Sequence, residues 1–239
     1  MRSRQNCSSR SASSAKVAVK EAGDSAKARR RTSRYTDHPD LSNTRSEDPA
    51  RAILQAALGF EPGTGFAYRG GSTYLLSRVI HSCSGQDVRD FLQTRLFMPL
   101  GIDTPAWQRC PQGFSLGAVG LCLPTAEVAR VGQTLLDEGR WLGRQLIPAS
   151  YVVSLTSDPV DTDGHQATSA AGPHPENARY GRHVWLCARD HAWRMDGIYG
   201  QFCVMLPQQQ ACVTITGHYR GPTTDILDAI WSEIVPALR

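Results

Sequence analysis

The sequence predicts an α+β fold: a helical lobe over about 49–157, then an antiparallel sheet with flanking helices over about 178–239. Three observations carry this. Apolar residues recur at helical spacing through 75–96 and again through 128–136, the period turns extended between 180 and 216, and 223–238 carries an apolar stripe fit to cover the strands before it.

Residues 1–48 stand apart. Val17, Val19, Tyr35 and Leu41 are almost their only sizeable apolar groups, so the segment reads as a disordered basic tail. It holds 11 Lys and Arg against 6 Asp and Glu, whereas the remainder holds 15 against 16. The formal charge of +4 therefore belongs to the tail, and no nucleic-acid partner is expected for the folded part. The first twenty residues, basic, Ser-rich and free of acid, also fit an organelle transit peptide. No run approaches the roughly 20 apolar residues of a membrane span, and the start lacks the apolar stretch of a signal peptide. A cytoplasmic location without a membrane partner is the expectation. The seven cysteines form no CxxC pair and no Cys/His spacing suited to zinc, so they read as reduced small hydrophobes, with neither metal nor cofactor implied.

In chain order, Asp48-Pro49 opens a short helix with Ala52, Ile53, Ala56 and Ala57 on one side, and Glu61-Pro62-Gly63 turns the chain. After Gly70-Gly71, Leu75, Leu76, Val79, Ile80 and Cys83 fall at helical spacing, and Gly85 supplies a left-handed stop. Asp87 is placed to cap the next helix, whose stripe is Val88, Phe91, Leu92 and Leu96 and whose end is Pro99. Residues 103–124, rich in Gly, Pro and Cys, read as a loop. Thr125 is placed to cap a helix that Gly139 terminates, Pro148 opens a shorter one, and 158–177 is a long irregular loop. Strands are expected at 180–188, 192–195, 201–206 and 211–216, with 202–206 apolar on both faces and so inside the sheet. Ile226, Leu227, Ile230, Trp231, Ile234 and Leu238 line the closing helix.

The segment 60–102 is the most specific. It carries Pro62-Gly63-Thr64, Phe66, Tyr68, Tyr74-Leu75-Leu76, Ser84-Gly85 and Phe97-Met98-Pro99-Leu100-Gly101, and the pattern continues through Gly120-Leu121 and Thr125-Ala126-Glu127. In this order the pieces resemble the serine β-lactamase and DD-peptidase superfamily, in the branch of class C β-lactamases, penicillin-recognising esterases and 6-aminohexanoate-oligomer hydrolases. The resemblance covers about four-fifths of the chain. It implies a β-lactamase/transpeptidase-like fold and a small-molecule ester, amide or β-lactam substrate cleaved through an acyl-enzyme. Such enzymes acylate a Ser of a Ser-x-x-Lys motif at a helix start, move the proton with a Tyr, and close the pocket with a Lys/His-Thr/Ser-Gly strand.

On that resemblance Tyr68 matches the catalytic Tyr, although Arg69 and Gly70 stand where Ser and Asn are expected. A packed aromatic under the Gly-Gly turn is the other reading of Tyr68. Gly197 and Tyr199-Gly200-Gln201 resemble the third motif in its oligomer-hydrolase form, but Met195 and Asp196 lack its cation and hydroxyl. Gly70, Asp196, Gly197 and Gly200 are thereby implied as substrate-binding, with a bulge or turn as the alternative for Gly197. Arg69 and Asp196 point to a substrate preference unlike that of β-lactamases. Ser13-Ser14-Ala15-Lys16 satisfies Ser-x-x-Lys literally, which nominates Ser13 as nucleophile and Lys16 as its base, yet it lies in the tail, only about 55 residues before Tyr68. Gly113-Phe114-Ser115-Leu116-Gly117 matches a nucleophile elbow in letters but not in context, since no strand and helix flank it. His183, His191 and His218 read as surface or satisfied residues.

The expectation is therefore the C-terminal portion of a serine hydrolase fold, N-terminally truncated, with an exposed sheet edge open to self-association. A catalytically inactive fragment or binding protein of the same fold is the alternative.

Overall fold

The computed structural model describes residues 16–21 as backbone, and 46–162 and 175–238 in full. Strand β1 (Lys16–Glu21) comes first and pairs in parallel with a strand near the end of the chain. The expectation of a wholly disordered tail over 1–48 is corrected at these positions, where Val17 and Val19 alternate at the period of a strand. Helix α1 (Pro49–Leu54) begins where Asp48 accepts the Arg51 amide at 3.1 Å, with Pro49 at a position that needs no N–H. Helix α2 (Gly70–Ser84) runs to Gly85, whose φ of +71° ends it. α1 crosses its first turn at Gly71, where a Cβ would sit 3.3 Å from the Ile53 side chain.

Helix α3 (Val88–Leu92) is capped by Asp87 and widens into a π-helical turn, Gln93–Phe97, then a 3-10 turn, Met98–Leu100. Asp87 also reaches the following loop. Its carboxylate accepts the Ser115 amide at 2.8 Å and the Ser115 hydroxyl at 2.6 Å, with Arg109 3.9 Å away. Ser115 is fully buried between loop segments, so its hydroxyl holds the loop and is not a nucleophile on an elbow.

Helix α4 (Thr125–Leu136) starts without a side-chain cap. Thr125 is its first helical residue and its hydroxyl meets that of Thr216, which corrects the capping role expected for it. A small ribbon of β2 (Arg140–Trp141) and β3 (Arg144–Gln145) follows, then α5 (Ala149–Ser154) after Pro148, and β4 (Val160–Asp161). The single strand expected over 180–188 is a hairpin of two, β5 (Arg179–Tyr180) and β6 (Trp185–Leu186). The Gly181 amide donates to the Val184 carbonyl at 2.8 Å and His183 adopts φ +61°, so the chain reverses within 181–184. Strands β7 (Trp193–Gly197), β8 (Gln201–Leu206) and β9 (Ala211–Thr216) lie close to where the sequence puts them.

Among the described residues the strand order is β1-β9-β8-β7-β6-β5-β4, antiparallel except for β1 with β9. Among the described residues β9 is thus paired by β1, and β1 and β4 are the outer strands. Both faces of the sheet are covered. Phe202, Val204 and Val213 pack on Leu227, Ile230, Trp231 and Val235 of α6 (Thr224–Ala229) and the wide and tight turns that continue it to Leu238. Pro236 gives no N–H and its ring crowds the preceding turn, which is why the closing helix loses its regular α geometry. On the other face Cys203, Met205 and Cys212 meet α4, and a Cβ at Gly132 would collide with the Cys203 sulfur.

Two expected outcomes follow from this packing. Gly132→Ala should lower stability by about 1–3 kcal/mol in urea unfolding, and the double variant with Cys203→Ala should recover part of the loss; strict additivity would clear the sulfur of responsibility. For Asp87, burial works against the carboxylate, but the two Ser115 bonds, the Arg89 amide and Arg109 outweigh it and hold its pKa below the usual value. A lowered folded pKa means that its contribution is complete above about pH 4 and is lost as pH falls through the folded value. Asp87→Ala should therefore cost about 1–3 kcal/mol at pH 7, with the gap to wild type narrowing below about pH 4 in parallel denaturant titrations.

Candidate active site

Gly63, at φ +88°, lets the Pro62-Gly63 turn close, and Thr64 gives both its amide and its hydroxyl to the Glu61 carbonyl, at 3.0 and 2.7 Å. The chain then extends through Phe66 and Tyr68 before Gly70 begins α2. Side chains two apart in an extended segment share a face, and both rings land on the β5–β6 hairpin. Phe66 lies 5.3 Å from Tyr180, while Tyr68 stacks on Trp185 at 5.8 Å and meets Tyr180 edge-on at 5.7 Å. Such ring pairs contribute about 0.5–1.5 kcal/mol each beyond area burial. Tyr68 is held against the sheet and remains half-buried.

Arg194 and Asp196 stand two apart on β7, opposite Trp185 and Phe202 respectively, so they share one face with those rings. Arg194 has no exposed surface. Its Nη1 donates to the Glu176 carbonyl at 2.6 Å, its Nη2 to Asn177 Oδ1 at 2.5 Å, and Nε and Nη2 both to Asp196 Oδ2, at 3.3 and 3.2 Å. Its guanidinium lies 5.7 Å from the Trp185 ring. Burial raises the Asp196 pKa, and the pull of Arg194 does not fully offset it. Burial also pushes up the Tyr180 hydroxyl, helped by Tyr68 and Asp196, which puts these three groups in one environment. His183 Nδ1 is 3.4 Å from Thr73 Oγ1, tying the hairpin turn to the first turns of α2, and burial lowers the imidazole's pKa.

The structure thus rests Tyr68 on Trp185, whose sheet face Asp196 shares, with Gly197 the next residue along β7 and Gly70 next in chain to Arg69 at the start of α2. Gly200 is elsewhere in character: it is buried at φ +75°, and a Cβ there would strike Ile226, so α6 closes over it. Ser13 lies outside the described residues. Lys16 opens β1 opposite Ala211, at the sheet end far from Gly197 and three strands across from Asp196, about 14 Å by strand spacing alone. No lysine follows Lys27 in the chain. The residue that sequence reasoning missed is Arg194. Its signal was present: an Arg and an Asp at i, i+2 on either side of the apolar Met195 must share a sheet face.

A family model for the beta-lactamase domain matches residues 23–232. The chain belongs to the beta-lactamase family. No curated protein matches its sequence. Among solved structures this beta-lactamase-family chain is similar to a Bacillus anthracis protein assigned as a 6-aminohexanoate-dimer hydrolase, with a TM-score of 0.65 and 21% identity over 84% of this chain and 55% of that one. A penicillin binding protein from Bacillus halodurans gives 0.56 and 17%, over 83% and 65%. The D-amino acid amidase of Ochrobactrum anthropi SV3, complexed with L-phenylalanine amide, gives 0.54 and 13%, over 86% and 68%. At these identities the likeness is one of fold, and the chain spans about half the length of the first structure, 55%. Among the described residues no helix is long and apolar enough to cross a membrane, and no group of three His, Cys, Asp or Glu is placed to hold a metal.

Arg194→Met should leave Asp196, Asn177 and the Glu176 carbonyl without their donor and cost about 3–5 kcal/mol, measured by thermal or urea unfolding. Arg194→Lys should recover little of it, because an ammonium cannot reproduce the planar fork that serves three acceptors. Full recovery by Lys would mean that charge alone is required there.

Proposed function

We propose that this chain acts as a serine-type hydrolase on an ester or amide bond of a small molecule, with Tyr68 as the proton-carrying group and the face of Tyr68, Asp196 and Gly197 receiving the substrate. The observation that supports it is the fixed position of Tyr68, stacked on Trp185 and adjoining Tyr180 on the strand system that carries Gly197. The reading draws on family membership for its reaction type. A serine Oγ attacks the carbonyl carbon, its proton passes by way of the Tyr68 hydroxyl to the departing oxygen or nitrogen, and water then releases the acyl group. Ser13, in Ser13-x-x-Lys16, is the nucleophile this sequence offers. The fold neighbours include proteins assigned to amide cleavage, a 6-aminohexanoate-dimer hydrolase and a D-amino acid amidase, and an amide or ester is proposed over a β-lactam because Met195 and Asp196 replace the cation and hydroxyl of the β-lactamase motif.

A second reading has its own observation. With Lys16 and Lys20 in β1, three strands across from β7, and no lysine after Lys27, the residues described in full hold no ammonium base beside Tyr68, which favours a binding protein that keeps the recognition face without acylation.

A fluorophosphonate probe and a 4-nitrophenyl ester separate the two. Under the hydrolase reading the full chain is labelled, Ser13→Ala abolishes labelling, and Tyr68→Phe lowers kcat/KM by about 10²–10⁴ with an unchanged melting temperature. Absence of any labelling in folded protein removes the hydrolase reading and leaves the binding one.

A further inference from the structure

The face of the sheet that meets α4 carries a cluster of sulfur that the proposed reaction does not use. Cys203 and Met205 stand two apart on β8, Cys212 and Thr214 two apart on β9, and the register sets Cys203 opposite Thr214 and Met205 opposite Cys212. Side chains two apart on a strand share a face, so these four occupy the corners of one square. The square is dry: Cys203 is 1% exposed and the other three have no exposed surface. Cys203 joins all four corners. Its Sγ lies 3.8 Å from Met205 Sδ, accepts the Thr214 hydroxyl at 3.3 Å, and is hydrogen-bonded to the Cys212 thiol. The helix above draws the two thiols together. A Cβ at Gly132 would collide with Cys203 Sγ and sit 3.5 Å from Cys212 Sγ, so both sulfurs converge on one point of α4. Cys212 also reaches the Ala129 carbonyl, at 3.7 Å.

We propose that the thiolates of Cys203 and Cys212 and the thioether of Met205 bind one soft monovalent metal ion, Cu(I), in a three-coordinate site between β8, β9 and α4. The inference stands apart from the hydrolase reading and uses none of its residues. Softness decides the metal: two thiolates and a thioether suit Cu(I), whereas Mg(II) and Ca(II) take oxygen and Zn(II) asks for a fourth ligand of Cys, His or carboxylate type. The spacing also suits it. Metal–thiolate bonds of about 2.3 Å place the sulfurs of a planar three-coordinate site about 4 Å apart, and Cys203 and Met205 are 3.8 Å apart before any metal is added. The ion lies within the triangle and needs no separate cavity. On binding, each thiol gives its proton to solvent, each of the three sulfurs donates a lone pair, and nothing is oxidised or reduced. Cys203 and Thr214 both donate to Cys212 and lower its pKa against the effect of burial, so Cys212 is the sulfur that gives up its proton first. No donor reaches the surface, so the ion is taken up as the chain folds. The sequence hides the site because Cys203 and Cys212 are separated by the 207–210 turn and the third donor is a methionine, outside the usual set of Cys, His and acids.

The test refolds the full chain under nitrogen, with a phosphine reductant, in the presence and absence of Cu(I) supplied as its acetonitrile complex, and then strips loose metal with bathocuproine disulfonate. One Cu(I) per chain should be retained, with a sulfur-to-copper charge-transfer band in the ultraviolet and a melting temperature above that of the metal-free chain. Zn(II) in place of Cu(I) should not be retained. The background variant Cys7→Ser/Cys83→Ser/Cys122→Ser, which removes the two exposed thiols and Cys7, should behave as wild type. In that background Cys212→Ser should abolish retention, and Met205→Leu, which conserves volume, should weaken it by at least about tenfold, as expected for a direct ligand when supporting groups alone are worth that much. A folded wild-type chain that keeps no Cu(I) overturns the proposal. So does retention that disappears in the background variant, which would put the metal on the other thiols, or retention that Met205→Leu leaves unchanged. The wild-type, background and Met205→Leu measurements decide the question even where Cys212→Ser does not fold.

Discussion

A guanidinium with no exposed surface sits at the junction of the second half of this protein, and much of the surrounding architecture exists to satisfy it. Desolvating Arg194 is expensive unless its donors are met. They are met by four distinct acceptors: the carbonyl of Glu176 and the amide oxygen of Asn177 in the 3-10 turn Pro175–Asn177, the carboxylate of Asp196 on the same strand, and the Cys187 sulfur at 3.8 Å after β6. The turn Pro175–Asn177 is thereby pinned to β7. Cys187 reports the dryness of this junction: burial pushes its thiol up to about 12 despite the guanidinium nearby.

From this anchor the aromatic face follows in steps. Arg194 fixes Asp196, and the sheet register puts Trp185 directly opposite Arg194 and Tyr180 directly opposite Trp185. Those two rings are the surface on which Phe66 and Tyr68 come to rest, so the aromatic pair from the helical lobe is positioned by the sheet and not by its own segment. The tight turn at 181–184 is part of the same device. His183 accepts a left-handed backbone conformation, uncommon for a residue with a Cβ, and in that position its ring meets Thr73 of α2. A polar contact and four aromatic ones thus join lobe to sheet across the candidate site.

How much of this was legible in the sequence depends on whether the information was local. Asp87 as a cap, Gly85 as a left-handed stop and the two-faced apolar run 202–206 were readable because each is decided by neighbours a few residues away. Tyr68 could be singled out because a motif marked it. The failures have the opposite character. The 180–188 segment looks like one strand, since nothing in its own letters says that Gly181 must press against the Leu155 carbonyl and reverse the chain. Thr125 has the letter of a cap and spends its hydroxyl on Thr216, 91 residues away. β1 has only two valines to show, and what makes it a strand is the edge of β9, which a composition argument cannot see. Arg194 was passed over because a charged letter within a strand normally signals a solvent-facing position, and its burial is set by acceptors from three other places in the chain.

The same separation bears on how function is distributed in this family member. Among the described residues, the ring contacts of Tyr68, Tyr180 and Trp185 and the Arg194–Asp196 pair all lie within 60–73 and 175–206. The proposed acylation would need, besides Tyr68 of this face, a serine and its base from another segment. On the proposed reading, the charge on β7 bears on which molecules bind, and a nucleophile from outside this face on whether they are cleaved. The Asp196 carboxylate is tolerated on β7 because Arg194 bonds its Oδ2 inside the fold, and the same buried cation ties the strand to Glu176 and Asn177.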